Sequence, residues 1–218
     1  MNALRLRYQT IEFGTTDIHV RTLRDNQQYA DEDNIAHDLG ISSASWPLFG
    51  VVWASGNVLA HLMAEQDIAG LRILEVGCGI ALASLVLNNR EADITATDYH
   101  PEVEHFLSEN VLLNDGAPIP FVRTGWADEV TELGKFDLII GSDLLYEAEH
   151  CDLLSDFIDQ HAAPHCQVVL VDPGRGNHAR FSKRMVALGY SHSQAAPEHT
   201  DYLDEPFRGQ VLRYQRQH

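Results

Sequence analysis

A doubly wound α/β domain is what this sequence predicts, with a mostly parallel seven-stranded sheet, an antiparallel strand at its C-terminal end and a β-hairpin in front. Three observations lead there. Short apolar runs alternate with stretches of helical periodicity from about residue 72 to residue 189. The runs are apolar nearly throughout rather than at every second position, which is the pattern of strands buried on both faces of a parallel sheet. The first of them, RILEV, breaks into the two glycines of VGCGIALA, at the strand end where such sheets hold ligands.

The elements follow in order. Residues 4–23 contain two alternating runs, LRLRYQTIEF and DIHVRTL, joined by GTT, a hairpin signature in which glycine supplies the turn's awkward dihedral. Residues 24–46 are polar and acidic and read as a covering segment with one short helix. A helix is expected from Trp53, where Val58, Leu59, Leu62 and Met63 recur at helical spacing and Ser55 suits the N-cap. Strands follow at RILEV, DITATD, IPFVRTGW, FDLIIGSD and CQVVLVD. The helices between and after them are ALASLVLNN, PEVEHFLSENVLLN, EHCDLLSDFIDQHA and NHARFSKRMVALG, while ADEVTELGK is short for a full helix. YSHSQAA and GQVLRYQR supply two last strands that can pair antiparallel. On this reading residues 1–218 form one domain, with 1–46 as hairpin and covering segment and 47–218 as the ligand-binding core.

Composition narrows the function. Fifteen Lys and Arg against 32 Asp and Glu give a formal charge of −17, which repels a phosphate backbone, so no nucleic-acid partner is expected. A cationic partner is favoured by the same charge, although solubility alone accounts for it equally well. No apolar run approaches the roughly 18 residues of a membrane span, and MNALRLRYQTIEF lacks the apolar core of a signal peptide. The three cysteines form no C-x-x-C pair, which suits a reducing compartment, and a cytoplasmic location is expected. His150, Cys151, His161, His165 and Cys166 match no zinc spacing; they read as helix-face residues, and no metal is expected.

The glycine loop carries the chemistry. A P-loop is excluded because no G-K-[ST] follows, and Leu82 stands where a dinucleotide loop has its third glycine. Glu75, two residues before Gly77, would repel a pyrophosphate but suits an ammonium group. Asp98, at the end of the next strand, can accept hydrogen bonds from both hydroxyls of a ribose. Together they fit S-adenosylmethionine, which carries an amino acid and a ribose but no phosphate. Ordinary turn glycines with a capping aspartate, and an NAD-dependent oxidoreductase, are the other readings of the same residues. A branched side chain at Gly77 is expected to fill space that the cofactor's methionine moiety needs.

The stretches LEVGCGIALAS, TATDYHPEV and FDLIIGSDLLYE resemble the seven-stranded, class I S-adenosylmethionine-dependent methyltransferases, whose sheet is Rossmann-like. Ala81 replaces the last glycine of the usual acid-x-Gly-x-Gly-x-Gly and is small enough to keep close packing. SDLLYE is similar to the D-x-x-Y strand end of the protein-lysine methyltransferase family 16. GVVWASGNVLAHLM looks like the tryptophan-bearing helix of that family. The resemblance implies a cofactor site lined by Trp53, Glu75, Gly77, Gly79, Asp98, Trp126 and Ser142. It also implies Asp143 and Tyr146 as catalytic residues, Asp143 holding an N–H of the acceptor amine and Tyr146 walling its channel. DPGR is similar to the lysine methyltransferases of the electron-transfer flavoprotein β-subunit and their bacterial relatives, which puts Arg175 with Tyr146 on the substrate side, unless it only pairs with an acid. The expected function is N-methylation of a protein lysine. A small nicotinamide-like amine as acceptor, or a non-catalytic cofactor-binding module, are the alternatives.

Overall fold

The computed structural model describes residues 5–27, 29, 31, 34–39, 41, 43–128 and 131–216. Residue 4 of the expected hairpin, parts of the covering segment and residues 129–130 of ADEVTELGK lie outside them.

The hairpin forms as its alternation requires. β1 (Leu6–Phe13) and β2 (Thr16–Leu23) pair antiparallel from Leu6↔Leu23 to Phe13↔Thr16 and turn through Gly14 at φ 64°. A short helix α1 (Ile35–Asp38) and a 3-10 helix (Ser43–Leu48) lead to α2 (Ala54–Glu65). Ser55 does not cap α2. The helix begins two residues earlier than a Ser55 cap would have it, with Trp53 in the cap position, where its indole N–H donates to the Leu48 carbonyl (2.9 Å), and Ser55 is buried with its hydroxyl unpartnered.

The alternating part comprises β3 (Arg72–Val76), α3 (Leu82–Asn89), β4 (Asp93–Asp98), α4 (Val103–Leu113), β5 (Phe121–Arg123), β6 (Phe136–Ser142), α5 (His150–His161), β7 (Ala162–Asp172), α6 (His178–Ala187), β8 (Tyr190–Ala195) and β9 (Gln210–Arg216). The seven strands are ordered β5-β4-β3-β6-β7-β9-β8. β3 to β7 are parallel, and β9 runs antiparallel between β7 and β8. β5 is shorter than IPFVRTGW suggests. Pro120 has no N–H to give a ladder, so its carbonyl alone takes part, accepting from Ala96 N–H (2.9 Å) at the sheet's edge.

Near-continuous apolar strands are required because each strand feeds two cores at once. Ile73, Leu138, Ile140, Val169, Val171 and Val211 point to one face, where they pack with α2, α3, α4 and the hairpin. Leu74, Val76, Ile139, Val168, Leu170 and Leu212 point to the other, against α5 and α6.

The hairpin's open edge is closed by two asparagines one turn apart, Asn110 on α4 and Asn114 at its C-terminal cap. Asn110 Oδ1 accepts from Arg21 N–H (2.7 Å) and its Nδ2 donates to Arg21 C=O (3.2 Å). Asn114 does the same for His19, at 2.8 and 2.7 Å. Residues two apart on an edge strand point their backbone groups the same way, so side-chain amides spaced by one helical turn stand in for a neighbouring strand. Asn110→Ala removes both bonds to Arg21 in a fully buried setting. It should cost about 2–3 kcal/mol, since the orphaned backbone groups bear the penalty. Urea melts check this; a loss below ~0.5 kcal/mol would show that the pairing contributes nothing.

Candidate active site

Because β3 and β6 are neighbours whose chains continue to opposite sides, the loops after them open a crevice at the carboxyl edge of the sheet. The loop after β3 has an alternating left-handed backbone: Gly77 at φ 60°, Gly79 at 55° and Ala81 at 59°. Ala81 is thus more than a packing substitute for glycine, since it adopts a conformation that disfavours a Cβ. Two carboxylates hold the loop. Asp98 Oδ2 accepts from Gly79 N–H and Oδ1 from His100 N–H, both at 2.9 Å. Glu75 Oε2 accepts from Ser84 N–H (3.0 Å) and from the Ser84 hydroxyl, fastening the first turn of α3.

After β6 the chain reads Ser142-Asp143-Leu144-Leu145-Tyr146. Leu144 and Leu145 are buried in the core, at 6% and 1% exposure, which turns Asp143 and Tyr146 toward the crevice. Asp143 is itself left-handed, at φ 54°, and its N–H donates to Val171 C=O (2.9 Å). After β7, the Asp172 carboxylate accepts from Gly174 N–H (2.8 Å), and Arg175 sits between Gly174 at φ 98° and Gly176 at φ 93°. That turn aims the guanidinium at Asp143 as a fork: Nε to Oδ1 at 2.6 Å and Nη2 to Oδ2 at 2.9 Å.

A cavity of about 630 Å³ fills the crevice, and Trp53, Glu75, Gly77, Gly79, Asp98, Trp126, Ser142, Asp143 and Tyr146 all line it. Arg175 does not line it and reaches it only through Asp143. Trp126 is presented by the loop after β5, which Asp128 ties by accepting from Gly125 N–H (2.7 Å) and the Thr124 hydroxyl (2.8 Å). His150 was read as a helix-face residue, yet it lies in the cavity wall with ring edges against Trp126 (5.3 Å) and Tyr146 (4.7 Å). Its position four residues beyond Tyr146 was the available signal. Phe49 and His100, stacked at 4.0 Å, complete another part of the wall.

The cavity is acidic. Glu75, Asp98, Asp128, Asp143 and Glu147 line it, and neither Lys nor Arg does among the described residues. Burial pushes Glu75 up to about 7, with the Asp98 charge adding to the effect and the Ser84 bonds opposing it. Burial also raises Asp98 against the pull of its backbone N–H donors and drives Tyr146 up to about 12. Such a lining refuses a phosphate and accepts a cation.

A sequence model of the lysine methyltransferase family matches residues 35–185. The chain belongs to that family. It is 31% identical over 144 residues to the electron transfer flavoprotein beta subunit lysine methyltransferase of Xenopus laevis, covering 64% of this chain and 56% of that one. To protein N-lysine methyltransferase METTL21A of Danio rerio it is 35% identical over 123 residues, covering 49% and 54%. The matched region thus spans about half the length of these relatives. The fold resembles that of the T. thermophilus 16S rRNA N2 G1207 methyltransferase RsmC, solved with AdoMet and guanosine, with a TM-score of 0.67 at 13% identity over 98% of this chain and 51% of that one.

In this family member the two loop glycines differ in role. A Cβ at Gly77 would lie 2.5 Å from Leu144 Cδ2 and 3.8 Å from Trp126, so a side chain there meets the protein before any ligand. A valine at 77, already strained at φ 60°, would therefore push on Leu144, which is itself part of the cavity wall. At Gly79 a Cβ would have nothing within 4 Å, so it is there that a side chain would enter the open cavity.

The raised carboxyl of Glu75 has a stability consequence. A carboxyl raised on folding from 4.5 to about 7 favours the folded state while protonated; that contribution is full below 4.5 and is lost as pH rises through 7. Relative to Glu75→Gln, the ligand-free wild type should therefore lose on the order of 3 kcal/mol between about pH 4.5 and pH 8. Parallel urea melts of the two proteins measure the difference; pH profiles that stay parallel would contradict a neutral Glu75.

Proposed function

We propose that this chain is an S-adenosylmethionine-dependent N-methyltransferase whose acceptor is the lysine side chain of a protein. The observation that carries the acceptor choice is the open, acidic mouth beside Asp143. Tyr146 and Leu153 line the cavity yet are 37% and 39% exposed, and Glu147 stands beside them at the surface. A long side chain from a protein surface can enter there, whereas a small amine calls for an acceptor end closed off from water.

The residues fit the cofactor. Open space at Gly79 accommodates a ligand close to the backbone. On this reading Asp98 takes the ribose hydroxyls, Glu75 serves the amino-acid end, and Trp126, also in the cavity wall, gives a flat apolar surface to the base. Trp53 and Ser142 close the wall between them. When bound, S-adenosylmethionine supplies an electrophilic methyl carbon on a sulfonium. Asp143 accepts an N–H of the acceptor amine and aims its lone pair, Tyr146 screens the acceptor from water, and orientation provides most of the acceleration.

The Xenopus laevis relative makes the electron transfer flavoprotein beta subunit the first acceptor to try. The charge of −17 supports a protein rather than a nucleic-acid partner, and the free, buried Cys78, Cys151 and Cys166 support a cytoplasmic setting. Among the described residues no helix is long and apolar enough to cross a membrane.

With methyl-labelled S-adenosylmethionine, wild-type protein should label a discrete, protease-sensitive band in a cell lysate, and mass spectrometry should place the label on lysine. Asp143→Ala should lower transfer at least ~100-fold while cofactor affinity by calorimetry stays within about threefold. Gly79→Val should lose cofactor binding, both by entering the cavity and by straining a loop residue held at φ 55°, with a parallel thermal melt to show that the rest of the fold remains. Label confined to small molecules would replace the protein acceptor with a small amine, and normal cofactor binding by Gly79→Val would misplace the site.

A further inference from the structure

Asp143 meets the acceptor nitrogen in an already acidic cavity, and this raises a chemical difficulty. A lysine arrives as an ammonium, which has no lone pair to attack with. The groups facing that position are Tyr146 and Glu147 on the same loop, His150 on α5, Glu75 and Asp98 from the neighbouring strand ends, Asp128 beside Trp126, and Asp172 behind Arg175. A carboxylate within about 4–6 Å stabilises an ammonium by roughly 1–3 pKa units, so an unpaired Asp143 would bind the acceptor in its unreactive form.

The structure answers with Arg175. Its fork engages both oxygens of Asp143, at 2.6 and 2.9 Å; each carboxylate oxygen has a second lone pair, and Asp143 lines the cavity. Both partners are built into place: Asp143 by its left-handed backbone and its bond to Val171, Arg175 by two positive-φ glycines and the Asp172 turn. The Asp143 side chain is 13% exposed and that of Arg175 40%, so the fork is buried at its carboxylate end and open to solvent at its guanidinium end, and its bidentate geometry rather than burial marks it out.

We propose that Arg175 is a positioning residue that sets the charge of the acceptor site: by neutralising Asp143 while leaving it an acceptor, it makes the site prefer the neutral amine of lysine over the ammonium. The inference rests on Asp143 being the acceptor-side group. A proton leaves the ammonium for solvent before transfer; the freed lone pair then forms the N–C bond, the S–C pair remains on sulfur, and the positive charge passes to nitrogen. Arg175 takes no proton in this sequence and touches no reacting atom.

The test needs no known substrate. n-Butylamine, a stand-in for the lysine side chain, is titrated into cofactor-free protein from pH 6 to pH 10 and followed by NMR. Wild-type affinity should rise with pH as the amine deprotonates. Arg175→Gln should bind at least ~10-fold more tightly at pH 7, a gain that Asp143→Asn in the same chain removes. Arg175→Lys, which keeps the charge, should follow the wild-type pH trend. A wild-type site that binds best at low pH would overturn the proposal without any variant, as would equal binding by Arg175→Gln.

With a methyl acceptor in hand, the rising limb of kcat, which reports the bound amine, should move up by about one pH unit or more in Arg175→Gln and return in Arg175→Lys. A lower rate with an unmoved profile would reduce Arg175 to a structural support and overturn the charge-setting role. Absence of wild-type transfer to any protein would instead count against the lysine reading, and the butylamine titration would still decide the role of Arg175.

Discussion

The loop between β3 and α3 turns on alternating left-handed residues, and it keeps that shape because carboxylates from two adjacent strand ends hold it. Asp98 takes the Gly79 N–H, and Glu75 takes the first turn of α3 through Ser84. The arrangement concentrates negative charge in a buried place, where neither acid is comfortable, and burial raises both. The loop geometry and the acidity of the cavity therefore share one origin. The groups that shape the backbone are also the groups that make this part of the cavity acidic.

The Asp143 side of the cavity repeats this economy with a different solution. Asp143 is forced into the cavity by two leucines that anchor its loop in the core, and its charge is met by a guanidinium from the next strand end. The parallel sheet makes the meeting possible. β6 and β7 run side by side, so the loops leaving them emerge at the same edge, and residues 32 apart in sequence come within hydrogen-bond reach. At the opposite flank, Asn110 and Asn114 fasten the hairpin to α4 by imitating a strand. The segment after the hairpin then returns to the cavity wall through Ile41, Leu48 and Phe49.

Sequence alone determined the class of fold, because burial on both faces of a parallel sheet demands continuous apolar strands, and helices between them must show one apolar stripe. It also picked out part of the cavity wall. Glu75, Gly77, Gly79 and Asp98 are local in sequence, fixed to two strand ends, and their types carry the chemistry. Trp53, Trp126, Asp143 and Tyr146 were reached by resemblance of short motifs, which works where function imposes residue type at a fixed strand end.

Tertiary structure decided what depends on distances between separate loops. The fork of Arg175 on Asp143, the entry of His150 into the cavity wall, and the difference between Gly77 and Gly79 all turn on which side chain a neighbouring loop supplies. The start of α2 at Ala54 was likewise set by the Trp53 bond to Leu48, against the preference of Ser55 for a cap. Periodicity records which face of an element is buried. Which residue of another element stands opposite is recorded only once the sheet has brought the strand ends together.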